Sequence, residues 1–158
     1  MTRFGGVYEH SPWVAEGAWH ERPFRSLSEL HGTMERAVNV ASDERKMDLI
    51  LAHPDLAGKA AVPGELTPES EREQASAGLN RLSPEEYEAF TETNHLYREK
   101  FGMPLIFCVR EHTKESILKG AEELLANARE EEIETALAET SKIARLRLGD
   151  LVEEGGKR

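Results

Sequence analysis

Three groups of polar residues sit where a plain helical scaffold has no use for them. The first is Ala52-His53-Pro54-Asp55-Leu56-Ala57-Gly58-Lys59. His53 falls at the end of a predicted helix, where the dipole favours an imidazolium, and Pro54 fixes the exit of the chain. An imidazole at the lip of an irregular stretch suits proton transfer near neutral pH. The same position equally suits a histidine that does no more than cap the helix. The second group is the helix expected over Glu69 to Leu79, where Ser70, Glu73, Gln74 and Ala77 follow i, i+3, i+4, i+7. Ala75, Leu79 and Leu82 form the roughly opposite, core-facing stripe. The Ser, Glu and Gln face is either solvated or a mixed donor–acceptor surface for a ligand. The third is Arg147, whose helix neighbours Ile143, Ala144 and Leu151 are apolar. A guanidinium on such a stripe needs a carboxylate, either a ligand's or a protein one such as that of Glu73.

Helices must position these groups. Ser11-Pro12 places a cap and an N1 proline before Trp13, Val14, Ala18 and Trp19. Ser26-Leu27-Ser28-Glu29 reads as a capping box opening a helix to about Val40. Ser42 caps the next, with Met47, Ile50 and Leu51 on one face, and it ends near Pro54. Thr67-Pro68 opens the helix of the second group, and Ser83-Pro84-Glu85-Glu86 opens another. Behind that box, Tyr87, Phe90, Asn94, Tyr97 and Phe101 share one face. Leu105-Ile106-Phe107-Cys108-Val109 is too short and too evenly apolar to show a period, and reads as a buried extended segment or a short helical turn. Two further helices run from about Lys114 to Ala128 and from about Glu130 to Val152, with Glu130 to Glu134 as a solvated face. The fold class is all-α, a single compact, bundle-like domain of six or seven helices over residues 1–158.

Composition narrows the partners. The chain has 158 residues with 20 Lys+Arg against 30 Asp+Glu, a formal charge of −10. That balance argues against nucleic acid and against anionic membranes, because both need clustered cations. The one cysteine, Cys108, excludes an internal disulfide framework and a Cys-based zinc knuckle, and its apolar setting suits a buried small hydrophobe. The longest apolar runs are far short of a membrane span, and no secretory signal is visible, so a cytoplasmic protein is expected. His31 and Glu35 lie at i, i+4 and could share a metal with His53 in a helical hydrolase, or simply form a surface pair. A non-enzymatic interaction module, with His53 as a cap and Glu73–Arg147 as a buried ion pair, is the other reading these residues allow.

The order and spacing of the motifs narrow this further. Phe4-Gly5-Gly6-Val7-Tyr8-Glu9-His10-Ser11-Pro12 and His53-Pro54-Asp55-Leu56-Ala57-Gly58-Lys59 resemble the 2-oxo-4-hydroxy-4-carboxy-5-ureidoimidazoline (OHCU) decarboxylase family. Leu66-Thr67-Pro68-Glu69-Ser70, Glu73-Gln74, Ala77-Gly78-Leu79, Asn94, Tyr97, Lys100-Phe101-Gly102, Val109-Arg110 and Leu146-Arg147-Leu148 continue the likeness along essentially the whole chain. The resemblance implies decarboxylation of OHCU to (S)-allantoin in urate degradation, without metal or organic cofactor. It implies His53 as catalytic acid/base, with Glu73 and Arg147 in the same site. It assigns substrate contacts to Pro54, to Ser70-Glu71-Arg72-Glu73-Gln74, and to Leu105-Ile106-Phe107-Cys108-Val109, the last through backbone groups. Leu105 departs from the pattern, since many members carry Phe there. The family also suggests a homodimer, and a functional link to urate oxidase and hydroxyisourate hydrolase. A related decarboxylase acting on another ureido-imidazoline has the same residues open to it.

Overall fold

A computed structural model describes residues 6–20, 26–53, 55–56 and 66–156, with side chains to Leu151. Among the described residues there are seven α-helices and no strand: α1 (Trp13–Trp19), α2 (Leu27–Asn39), α3 (Asp43–Leu51), α4 (Pro68–Ser76), α5 (Pro84–Phe101), α6 (Lys114–Leu124) and α7 (Arg129–Gly156). A single 3-10 turn, Val109–Glu111, separates α5 from α6. The all-α expectation therefore holds. None of the described helices is long and apolar enough to cross a membrane.

Local sequence chemistry accounts for most helix starts. The Ser26, Ser42, Thr67, Ser83 and Thr113 hydroxyls each accept the backbone N–H three residues on. At Ser83 the box is complete, because Glu86 returns a carboxylate oxygen to the Ser83 N–H at 2.9 Å. Such caps each contribute about 1 kcal/mol by satisfying donors that a helix start leaves open. The first helix departs from expectation. It begins at Trp13, one residue late, because the Ser11 hydroxyl donates to the Glu9 carbonyl at 2.9 Å instead of capping. Helix α5 ends where Gly102 adopts φ 71°, a left-handed turn that a side chain would strain.

The contacts divide the chain into two compact units. One comprises residues 1–52 and 140–158, the other residues 53–139. In the first, α1 packs on α2, and Val14, Ala18, Met34, Val38, Leu49, Ile50, Ala144 and Leu148 are buried. Leu51, expected inside, is exposed; Leu49 takes the inward position two residues earlier. In the second, α5 packs on α6, with Phe90, Tyr97, Phe101, Met103, Ile117 and Ala121 inside. Tyr87 opens the expected aromatic stripe but is exposed. Lys114 reaches Glu86 at 2.7 Å, and holds that carboxyl below its usual range.

Glu132 corrects the expectation of a solvated acidic run. It is 0% exposed, and both carboxylate oxygens are bonded. Tyr97 Oη donates at 2.7 Å and Asn127 Nδ2 at 2.8 Å. A carboxylate in the first turn of α7 also meets the positive end of that helix, so burial is compensated twice. Burial first, then the neighbouring Glu132 carboxylate, push the Tyr97 phenol well above its ordinary 10.0. Burial likewise pushes Tyr8 up to about 12.

These shifts have a sign. A phenol that stays protonated longer in the folded state contributes fully below the unfolded value of 10.0, and its contribution is lost as pH rises beyond that. Stability measured by urea denaturation is expected to fall steadily from about pH 10 upward, and Tyr97→Phe is expected to flatten that fall. An equal slope in Tyr97→Phe would show that Tyr97 is not among its causes.

Candidate active site

His53 follows the residue that closes α3, Ala52, and its side chain is buried. Pro54 and residues 57–65 lie outside the described residues, so the expected substrate contact of Pro54 is neither placed nor displaced. The chain is described again at Asp55 and Leu56, and both are gripped from α5. Arg98 Nη2 donates to Asp55 Oδ1 at 2.7 Å, and Asn94 Nδ2 donates to the Leu56 carbonyl at 2.7 Å. The sequence places Asn94 on the aromatic face of its helix and in the family likeness without a partner, and does not single out Arg98. Each lies some forty positions from its partner, and no local spacing signals such a contact.

Helix α4 is the second component of the site. Thr67 caps it by accepting from the Ser70 N–H at 3.2 Å, and Pro68 occupies the first turn without losing a bond. The helix is short because Ala77 and Gly78 turn the chain, Gly78 at φ 80°. Its faces are the reverse of an ordinary amphipathic helix. Ser70 and Gln74 are 5% and 3% exposed, and Glu73 is half-buried. Ala75, expected in the core, is exposed, as are Glu71 and Arg72. Leu79 is buried as expected, but from the turn rather than from the helix stripe. So the polar face points inward, and the solvated reading of Ser70 and Gln74 does not hold.

Helix α4 packs against the 3-10 turn Val109–Glu111. Leu105-Ile106-Phe107-Cys108-Val109 is buried at every residue, and outside regular secondary structure until Val109 enters that turn. With every side chain inside, the polar chemistry left to this segment is its backbone. Cys108 N–H donates to Glu139 Oε1 at 3.4 Å, and the His112 ring meets Phe107 edge-on at 5.1 Å. Cys108 itself is a packed small hydrophobe, without exposure for reactivity. His53, α4 and residues 105–109 thus all belong to the second unit.

Arg147 belongs to the first unit. It is 4% exposed, as its apolar helix neighbours predicted. Its Nη1 donates to the Gly6 carbonyl at 3.1 Å, to the Val7 carbonyl at 3.5 Å and to Glu9 Oε1 at 3.5 Å. A carboxylate does stand beside Arg147, that of Glu9, itself buried. Sequence spacing could not find this pair, since 138 positions separate the two. His31 and Glu35, weighed as metal ligands, both engage Ser141. The Ser141 carbonyl lies 2.9 Å from His31 Nε2, and the Ser141 hydroxyl donates to the Glu35 carboxylate.

Comparison with known proteins bears on this arrangement. Residues 1–149 match the sequence model of a family described as OHCU decarboxylase. The chain is 44% identical over 147 residues to the 2-oxo-4-hydroxy-4-carboxy-5-ureidoimidazoline decarboxylase of Halalkalicoccus jeotgali, covering 93% of this chain and 81% of that one. It is 45% identical over 150 residues to the protein of the same name from Haloferax volcanii, with 95% and 87% covered. A uric acid degradation bifunctional protein of Bacillus subtilis is 41% identical over 97% of this chain, which corresponds to 30% of its own length. Among solved structures, an OHCU decarboxylase determined in the presence of (S)-allantoin superposes with a TM-score of 0.76 at 25% identity, covering 94% of this chain and 96% of that one. An (S)-allantoin synthase superposes with a TM-score of 0.75 at 30% identity, covering 95% of this chain and 48% of that one.

The buried Arg147–Glu9 pair carries its own expectation. Removing one partner takes away part of what compensates the other charge in the interior, so Arg147→Met is expected to cost about 3–5 kcal/mol in urea denaturation. The double change Arg147→Met with Glu9→Gln is expected to recover most of that loss. Additive losses in the double variant would show that the two charges do not depend on each other.

Proposed function

Because the chain belongs to the OHCU decarboxylase family, we propose that it removes CO2 from OHCU and delivers (S)-allantoin, as a carboxy-lyase of urate degradation. The observation that carries this reading is the inward polar face of α4, Ser70 and Gln74, packed beside the buried segment that ends in Val109. A helix that only contributed to packing would turn its apolar side inward. The family match spans residues 1–149 and so includes parts of both units, which supports treating the chain as one functional domain.

The chemistry asks little of a protein beyond positioning and proton control. OHCU carries a carboxylate and a hydroxyl on one ring carbon, beside the carbon that bears the ureido group. The C–CO2 bond breaks, its electron pair enters the adjacent C=N, and a proton must then be delivered from one face. His53 manages the hydroxyl proton and supplies that proton, which sets the enantiomer. Ser70 and Gln74 read the ring amides with one hydroxyl and one carboxamide, matching donors and acceptors. Glu73 orients His53 or holds the ureido N–H groups. The resemblance assigns Arg147 to an anionic or carbonyl oxygen. A grip on the departing carboxylate alone would oppose its loss, so the contact must tighten in the transition state. Backbone groups of Leu105 to Val109 supply further contacts. Glu71 and Arg72, being exposed, take part through their place in the segment rather than through their side chains.

We propose no metal or organic cofactor, because the electron pair already has a sink in the substrate's own C=N. A cytoplasmic homodimer working after urate oxidase and hydroxyisourate hydrolase completes the reading. The uric acid degradation bifunctional relatives of Bacillus support that place in the pathway.

The test generates OHCU in situ from urate and follows (S)-allantoin by circular dichroism. The protein, dialysed against EDTA, is expected to produce an optically active signal faster than spontaneous decay, which gives racemate. His53→Asn is expected to fold normally, by melting temperature, and to lose that acceleration by at least about a hundredfold. A racemic product at the spontaneous rate with the unaltered protein would overturn the function. Unchanged rate and enantiomeric purity in His53→Asn would overturn the role of His53.

A further inference from the structure

Helix α5 carries two side chains one turn apart that both reach the stretch of chain leaving His53. Asn94 bonds the Leu56 carbonyl and Arg98 bonds the Asp55 carboxylate, each at 2.7 Å. The i, i+4 spacing puts both on one face of a helix that is well anchored for the purpose. Its start has a complete capping box, and the Arg98 carbonyl itself accepts the Gly102 N–H at 2.8 Å in the closing turn.

The Asn94 contact is made in buried surroundings, where only the NH2 end of the amide can serve a carbonyl. That fixes the orientation of the group. Its Oδ1, facing the other way, has no hydrogen-bond partner among the described residues. A buried acceptor left so costs stability, and an apolar side chain of similar size would avoid that cost. Among the described residues, the hydrogen bond this amide makes is the one to Leu56. The Arg98–Asp55 pair points the same way by a different route. It is half-exposed, and a surface ion pair of this kind adds little to stability, so its effect is to locate Asp55.

We infer that Asn94 and Arg98 form a clamp on the segment after His53, and act as positioning residues that hold its imidazole in register for proton transfer. Two points fixed two and three residues beyond His53 limit the paths the chain can take away from it. A proton donor must stand within hydrogen-bond reach of the reacting atom, so small losses of register lower the rate without loosening substrate binding. The inference rests on the role proposed for His53, and the test separates the two.

The variants are Asn94→Leu, Arg98→Ala, Arg98→Lys and His53→Asn. Two readouts are taken on the full chain: kcat and KM for optically active product, and the His53 imidazole resonances, identified by their absence in His53→Asn and titrated by NMR from about pH 5 to 8. Arg98→Ala is expected to keep its melting temperature and KM, to lose about tenfold in kcat and to move the His53 titration. Arg98→Lys is expected to restore most of kcat, and Asn94→Leu to lose more than Arg98→Ala. Wild-type kcat and an unmoved His53 titration in Arg98→Ala, alongside an inactive His53→Asn, would overturn the clamp and leave the function standing. An active His53→Asn would overturn the role of His53 and the clamp with it. Should Asn94→Leu not fold, the half-exposed Arg98 pair still decides the question.

Discussion

Helix α4 is mounted with its polar side inward, and the chemistry proposed for this protein follows from that orientation. Nine residues of helix carry Ser70 and Gln74 inward and leave Ala75 in solvent, against the usual direction of the hydrophobic effect. Such a helix cannot be held by its own apolar face. It is fixed from outside, by the Thr67 cap and Pro68 at one end, by the turn through Gly78 to the buried Leu79 at the other, and by packing on the 3-10 turn Val109–Glu111. The energy to mount a polar face inward comes from neighbouring apolar elements.

The net charge takes on a different meaning in this light. A protein at −10 does not draw a small anion toward itself by its overall field. Recognition has to arise at hydrogen-bond range, from oriented amides, hydroxyls and backbone groups that need little reorganisation at the moment of reaction. Buried carboxylates such as Glu132 and Glu9 do not contradict this, since each is matched by donors on the spot: Tyr97 and Asn127 for one, Arg147 for the other. The acidity that remains belongs largely to exposed helix faces, where it concerns solubility rather than chemistry.

The helices were legible in the sequence because helix starts are local events. Ser26, Ser42, Thr67 and Ser83 announce themselves by residue type and by their place just ahead of a helical pattern. Periodicity likewise placed Phe90, Tyr97 and Phe101 inside, and Arg147 among apolar neighbours. It failed where burial is decided by distant partners. Glu132 in an acidic run and Ala75 on an apparent core stripe both defeated it, since a period says which residues share a face and not which face is inward. The ties of Glu9 to Arg147, and of Asn94 and Arg98 to the segment after His53, join positions far apart in the chain, and only the fold reveals them. The candidate site itself was legible as a set of motifs, through the family likeness, but not as a geometry.

In the proposed site, His53, the inward face of α4 and residues 105–109 together contact one small ureido ligand. Titration of the isotopically labelled protein with (S)-allantoin, followed by NMR, tests it most directly, with (R)-allantoin as the control. Saturable shifts are expected centred on His53, Ser70, Gln74 and the amides of Leu105 to Val109, at lower concentrations of the S than of the R form. Saturable shifts confined to other surfaces, or no response of these residues to either enantiomer, would contradict it.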